Sequence, residues 1–299
     1  MRKLIGVARP NFLTLTLVCI FAACAVSVWQ GAGLSFIDMT LVIVLGLSAH
    51  ISVNAFNEYF DFKSGLDFKT QPTPFSGGSG TLVAAPHLAH AALLLAAVTL
   101  TLTVSIGLLL VWMHGAALLG LGLVGVVVIY TYTQYLSRSP WLCLLAPGVG
   151  FGLCMTLGAA WVFSGQLHPG AWVMAIIITL LVSNLLLLNQ FPDVEADRQV
   201  GRRHLPIVYG LATSARVFAL LHISALVTLL LAIFNGWLPL AGLLGLLVLP
   251  LLWPLVIGVL RRPQAVARNI KLLGLNVLVV HAMPLFIGLG VLLSARAAT

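Results

Sequence analysis

The sequence predicts an all-α, polytopic membrane protein with nine transmembrane helices. Three observations carry that prediction. Hydrophobic residues make up 61% of the chain and charged residues only 7%, with a mean hydropathy of +1.10; charged residues alone supply about 25% of an ordinary soluble domain. Apolar runs long enough for a bilayer core, about 20 residues each, recur along the whole chain between charges, Gly and Pro. Once those runs are counted, the basic residues fall almost entirely on one side.

The first run, 12–29, follows Arg2 and Lys3 as a signal peptide would, but it is longer than a typical signal core and further runs follow it. It reads as a retained first helix, spanning 11–29. The remaining spans are expected at 36–60, 88–112, 116–135, 140–163, 170–190, 213–234, 236–259 and 271–294. So many spans with short connections leave no room for a separate soluble domain, and residues 1–299 are expected to form one integral-membrane unit. The formal net charge of +8 therefore has no soluble basic domain to carry it and does not point to nucleic acid. Cys19, Cys24, Cys143 and Cys154 sit in apolar stretches without metal spacing and read as small buried hydrophobes. No internal repeat emerges.

With nine spans, the N-terminus and the loops 61–87, 136–139, 191–212 and 260–270 share one face. Counting flanking helix ends, that face carries Arg2, Lys3, Arg9, Lys63, Lys69, Arg138, Arg198, Arg202, Arg203, Arg216, Arg261, Arg262, Arg268 and Lys271. Only Arg296 lies on the other. The bias assigns the first face to the cytoplasm and the C-terminus to the outside of a bacterial or archaeal plasma membrane.

The acids are as segregated as the bases. Of seven, three stand in NAFNEYFDFKSGLD at 54–67, three in NQFPDVEADRQVGRR at 189–203, and only Asp38 lies elsewhere. Neither cluster entered the topology, yet both fall at cytoplasmic ends, of the second and sixth spans. At helical spacing Asn54, Asn57, Glu58 and Asp61 share a stripe about 100° wide. His50 lies on the same stripe and reads as a buried hydrogen-bonding group. Asn189, Asp193 and Asp197 form a second ladder about 80° wide, with Glu195 opposite, and Pro192 interrupts it, so this cluster belongs at a broken helix end lining a cavity.

Carboxylates this close cannot all ionise without counter-charge. Oxygen ligands at this density, with room for water and phosphate, suit Mg²⁺ better than a closed calcium or zinc cage. Lys63, Lys69, Arg198, Arg202 and Arg203 interleave with the acids and read as anion ligands, whereas Arg261 and Arg268 need only the charge bias. The implied ligand is a diphosphate on a lipid tail. The long loop 61–87, with GGSG at 77–80, reads as a lid or phosphate-binding loop. Phe56, Tyr59, Phe60, Tyr130, Tyr132, Tyr135, Trp141, Phe151, Trp161 and Trp172 are candidate aromatic lining, suited to stabilising a carbocation.

At these motifs the chain resembles the UbiA superfamily of intramembrane prenyltransferases, particularly the branch that prenylates 1,4-dihydroxy-2-naphthoate for menaquinone. The resemblance rests on Arg9–Pro10, NxxNEYxDxxxGxD at 54–67, PFSGGSG at 74–80, Tyr130 with Thr131, and NxFPDVEADRxxGRRxLP at 189–206. It implies helices around a central cavity with cytoplasmic Asp-rich loops, a prenyl diphosphate donor, an aromatic or quinone-precursor acceptor, and two Mg²⁺ ions bridging the diphosphate. It further implies Asn57, Asp61 and Asp67 on one metal and Asp193 and Asp197 on the other, the four Asp being the catalytic set. Glu58 is a further metal candidate. Lys63, Lys69, Arg138, Arg198, Arg202 and Arg203, with Asn54, Tyr130 and Asn189, are the substrate-binding candidates. Three positions depart from the family pattern: Glu58 where Asp is usual, His204 where Thr is common, and Ala146 near where quinone-forming relatives often carry an acid. Two other readings use the same acids: a terpene cyclase of the same superfamily working without acceptor, and an ion-coupled transporter, which the position of the acids at helix ends disfavours.

Overall fold

The computed structural model describes residues 4–71 and 73–297, which are helical and contain no strand. Arg2 and Lys3 lie outside the described residues, as does the side chain of Arg296. Nine helical bodies follow in order: α1 Thr14–Trp29, α2 Phe36–Ser64, α3 Ala89–His114, α4 Ala117–Thr131, α5 Pro140–Ser164, α6 Pro169–Asn189, α7 Leu205–Phe234, α8 Leu240–Arg261 and α9 Ile270–Ala297. Each coincides with one expected span. Seven are long and apolar enough to cross a membrane. The exceptions are α4, at 15 residues, and α1, which reaches the standard only with Leu4–Phe12 across a 42° bend.

Each helix packs on its chain neighbour, and α9 closes the ring against α1. Inside the ring stands α6, which also touches α1 and α9. In its most apolar stretch 72% of α6 is buried, against 22% for α3, which turns Leu94, Val98 and Leu102 outward as an apolar belt suited to lipid. Exposed aromatic residues gather at both ends of the bundle. Phe36, Trp112, Trp172, Phe234 and Trp237 mark one end, and Phe68, Tyr135, Trp141 and Tyr209 the other, as two membrane interfaces require.

The ends of several helices differ from expectation for local reasons. The first begins at Thr14 because Arg9 adopts a left-handed conformation (φ 50°) and Pro10 opens a separate turn. The seventh begins at Leu205, eight residues early, since Pro206 suits a first helical turn; Gly210 then breaks the helix at φ 79°. Within α5, Pro147 is followed by a π-helical stretch, Val149–Leu157, the kind of irregularity found where a helix lines a functional cavity. Gly148 and Gly152 let α5 press directly on α6. A Cβ at Gly148 would stand 2.2 Å from the Thr179 carbonyl oxygen, and one at Gly152 2.3 Å from that of Ala175.

Because backbone rather than a movable side chain fills that space, Gly152→Val should destabilise the protein by at least the about 1–3 kcal/mol of ordinary overpacking. Gly122→Ala, whose Cβ meets nothing within 4 Å, should melt like the parent. Thermal unfolding of the two purified variants in one detergent compares them.

Candidate active site

A cavity of about 410 Å³ runs through the ring, apolar over most of its length and polar at the end where α2 and α6 stop. From α2 it is lined by Val42, Leu45, Ala49, His50, Val53, Asn54, Asn57 and Asp61, the periodicity of one helical face. Its polar mouth is built from breaks in the helices. Gly65, left-handed at φ 76°, ends α2 by donating its N–H to the Asp61 and Phe62 carbonyls, and the turn Leu66–Phe68 carries Asp67 back to the cavity. At the other side α6 ends at Asn189, a turn contains Pro192 and Asp193, and Val194–Gln199 restarts the helix and presents Asp197.

Arg202 spans the mouth. It donates from Nη2 to Asp61 Oδ1 and from Nη1 to Asp197 Oδ1 at 3.0 Å, joining the end of α2 to the segment after α6. His204, the N-cap residue of α7, lies 2.8 Å from the second oxygen of Asp197. Asp61 and Asp197 are thus paired with one shared guanidinium within the protein. Asp67 and Asp193 are not: burial first, then the neighbouring carboxylates, raise both to about 7. Asp67 Oδ2 and Asn189 Oδ1 are buried without a hydrogen-bond partner.

Around this mouth four carboxylates face two guanidiniums, Arg9 and Arg202, and Arg9 is already committed to Glu58. Surplus negative charge, unpartnered oxygens and carboxyls held near neutrality are the donor chemistry that a hard divalent cation satisfies. Asn57, Asp61 and Asp67 form one bank of oxygens and Asn189, Asp193 and Asp197 the other. Among the described residues no three His, Cys, Asp or Glu side chains converge as a ready-made cage.

Of the residues expected at the site, Asn54, Asn57, Asp61, Asp67, Asn189, Asp193, Asp197 and Arg202 line the cavity. Lys63, Lys69, Arg138, Arg198 and Arg203 are exposed and stand outside the lining; Arg198 faces Glu195 at 3.5 Å. Tyr130 packs edge-on against Phe56 and Phe60, outside the lining, while Tyr132, about 200° further round α4's line, faces in. Among the aromatic candidates only Tyr132 and Phe151 reach the cavity, joined by Phe12 and Phe75. Glu58 shares the acidic stripe but turns to Arg9 and Ser79. Arg9, Gly77, Gly78 and His204 also line the cavity; none is among the site residues expected from the sequence, although all four lie inside the motifs quoted above and the glycines belong to the loop read there as a lid or phosphate-binding loop. His50 is buried and lies 2.9 Å from Thr16 Oγ1, as its reading as a hydrogen-bonding group requires.

The family model of the UbiA prenyltransferase family matches residues 16–278. The chain is 26% identical over 209 residues to the 1,4-dihydroxy-2-naphthoate octaprenyltransferase of Bacillus subtilis (strain 168), covering 68% of this chain and 64% of that one, a little under two thirds of the relative's length. It is 28% identical over 244 residues to the protein of the same name from Escherichia coli (strain K12), covering 77% and 78%. A solved structure of a UbiA homolog from Archaeoglobus fulgidus, bound to DMAPP and Mg²⁺, shares the fold at a TM-score of 0.62 and 14% identity, over 98% of this chain and 99% of that one.

The raised carboxyls make stability depend on pH. Asp67 and Asp193 hold a proton more tightly folded than unfolded, so the metal-free protein should lose stability as pH climbs from 3.8 towards about 7. Adding Mg²⁺ should raise the melting temperature more at about pH 8 than at about pH 5, since only ionised carboxylates hold the ion. Melting curves with and without Mg²⁺ at the two pH values measure both effects.

Proposed function

The chain belongs to the UbiA prenyltransferase family, and from that premise we propose that it transfers a prenyl group from a polyprenyl diphosphate to an aromatic quinone precursor, 1,4-dihydroxy-2-naphthoate, within the membrane. The observation that carries this reading is the shape of the cavity's chemistry: four carboxylates and two guanidiniums at one end of a long apolar shaft. A diphosphate with its metals fits the charged mouth and a hydrocarbon tail fits the shaft. No ordinary soluble metabolite combines the two.

Two Mg²⁺ ions are the cofactor in this reading, held by Asn57, Asp61 and Asp67 on one bank and by Asn189, Asp193 and Asp197 on the other. When bound, they neutralise the diphosphate and help it to depart. Arg202, now shared between Asp61 and Asp197, supplies fixed positive charge beside the leaving group. Gly77 and Gly78, both at positive φ, bring backbone to the mouth without side chains in the way. Tyr132 faces the cavity beside Arg202, where allylic positive charge develops, and an aromatic face stabilises such charge; Phe151 lies deeper in the shaft against His50. The allylic carbon–oxygen bond breaks as diphosphate departs, and an electron-rich ring carbon bonds to the allylic carbon. Aromaticity returns as that ring carbon gives up its substituent, a proton taken by the released diphosphate or, from the carboxylate-bearing carbon, carbon dioxide. The names of the two curated relatives support the naphthoate acceptor.

The same reading takes all nine helical bodies as membrane crossings with the acid-lined mouth on the cytoplasmic side. Support comes from exposed Lys63, Lys69, Arg138, Arg198, Arg203, Arg261, Arg262, Arg268 and Lys271, which belong to the connections at that end of the bundle.

Purified protein incubated with Mg²⁺, a panel of polyprenyl diphosphates and either dihydroxynaphthoate or hydroxybenzoate should yield prenylated naphthoate by mass spectrometry. Cyclic hydrocarbon or alcohol from donor alone would instead establish a cyclase. Asp61→Ala and Asp193→Ala should each lower turnover by about a hundredfold or more, the scale of losing charge stabilisation at a reacting centre. Gly158 lines the shaft far from the mouth, with open space where its Cβ would lie; Gly158→Phe should shift donor preference towards shorter chains, read from competition between two donors.

A further inference from the structure

We propose that Glu58 is a positioning residue, not a metal ligand: it clamps the N-terminal hinge at Arg9 and the glycine-rich loop at Ser79 into one unit that shapes the diphosphate end of the cavity. This role rests on the prenyl-transfer reading for its effect on the donor, though the clamp itself is visible without it.

Glu58 is 1% exposed and both its oxygens accept hydrogen bonds. Oε1 accepts from Arg9 Nε at 2.9 Å, from Arg9 Nη2 at 2.6 Å and from the Ser79 backbone N–H at 2.7 Å, while Oε2 accepts from Ser79 Oγ at 2.8 Å. A carboxylate offers about four lone-pair sites; three donors saturate Oε1, and the one site left on Oε2 is buried and outside the cavity lining, away from where a cation would sit. Asp67 and Asn189 show the opposite condition, with buried oxygens that nothing satisfies.

What the clamp joins explains its value. Arg9 is the one non-glycine residue at positive φ among those described. The conformation is unfavourable for a residue before proline, and its ion pair with Glu58 holds it while the residue contributes to the cavity lining. Ser79 follows directly on Gly77 and Gly78, which line the same mouth, and a Cβ at Gly78 would stand 2.9 Å from Asp67 Oδ1. Beneath the polar contacts the pieces are welded by a buried cluster containing Val7, Ala55, Phe56 and Leu82. A Cβ at Gly6 would stand 2.3 Å from Thr81 Oγ1, so hinge and loop touch directly. Aspartate here would fall about 1.5 Å short, the length of one carbon–carbon bond, of a reach that serves two elements at once.

The test uses the full chain with Glu58→Gln, Glu58→Asp, Arg9→Gln, Ser79→Ala and the Arg9→Gln/Glu58→Gln double variant. Hydrogen exchange over 76–82 without substrate reads the clamp, and KM, kcat and the half-saturating Mg²⁺ concentration read its consequence. Glu58→Gln and Arg9→Gln should each speed exchange around Ser79 and raise the donor KM about tenfold, with kcat within about twofold and Mg²⁺ dependence unmoved. The double variant should be no worse than either single one. Ser79→Ala, which keeps the ion pair, and Glu58→Asp should lie between these and the parent. A higher Mg²⁺ requirement in Glu58→Gln, or a fall in kcat at constant KM, overturns the proposal in favour of metal ligation. Unchanged exchange in both Glu58→Gln and Arg9→Gln overturns it outright. Should the parent transfer no prenyl group to any acceptor, the functional reading fails, and the exchange measurements still decide the clamp.

Discussion

Four carboxylates share the mouth of an otherwise apolar cavity, and their repulsion is the constraint on which the site depends. Two like charges about 4 Å apart cost about 4 kcal/mol at the effective dielectric of a partly buried protein site, so the group needs cations built in or bound. The fold supplies only part of the need. Arg202 ties Asp61 to Asp197 and His204 takes the remaining oxygen of Asp197; Asp67 and Asp193 are left near neutrality at about 7. One half of the mouth is therefore zipped by the protein itself, and the other half is stable only when protonated or joined by a cation. A metal–diphosphate pair brings both signs of charge together, which lets Arg202 exchange a carboxylate for a phosphate without leaving either buried and alone.

Breaks in the helices convert this electrostatic demand into geometry. A continuous helix would have swept Asp67 away from Asp61 and carried Asp197 out of the mouth. Gly65 folds the chain back after α2, and the turn around Pro192 lets Val194–Gln199 re-enter at a new angle. Irregular backbone of this kind leaves amides and carbonyls unpaired and is tolerated near membrane depth only beside a polar cavity. The breaks and the carboxylates thus require each other.

Much of this was legible in the sequence because its signals are local. Apolar runs located all nine helical bodies, helical periodicity put Asn54, Asn57 and Asp61 on one face, and Pro192 announced the broken end. What escaped was tertiary. Glu58 fits the stripe as well as Asp61, and only the packing of Leu4–Ala8 on α2 reveals that its carboxylate turns to Arg9. Lys63, Lys69, Arg198 and Arg203 sit beside the acids in sequence, but long side chains at helix ends reach solvent cheaply, and proximity along the chain did not make them part of the mouth. Tyr130 and Tyr132 differ by two residues and point to opposite sides, a choice that composition cannot make. The early start of α7 was missed because Pro206 and Gly210 mark a loop in sequence, whereas Pro206 fits the first helical turn and Gly210 is absorbed as a kink.

The shaft and the mouth share a single rigid ruler. Cavity-facing residues on α2 run from Val42 to Asp61, a rise of about 28 Å at 1.5 Å per residue, close to the about 30 Å of a hydrocarbon core. In the proposed reaction the same helix therefore holds the metals at one end and measures the tail along the rest, so head and tail are in register without any domain movement. The opposite wall is lined by Gly122, Gly125, Gly150 and Gly158, whose missing side chains leave room rather than flexibility.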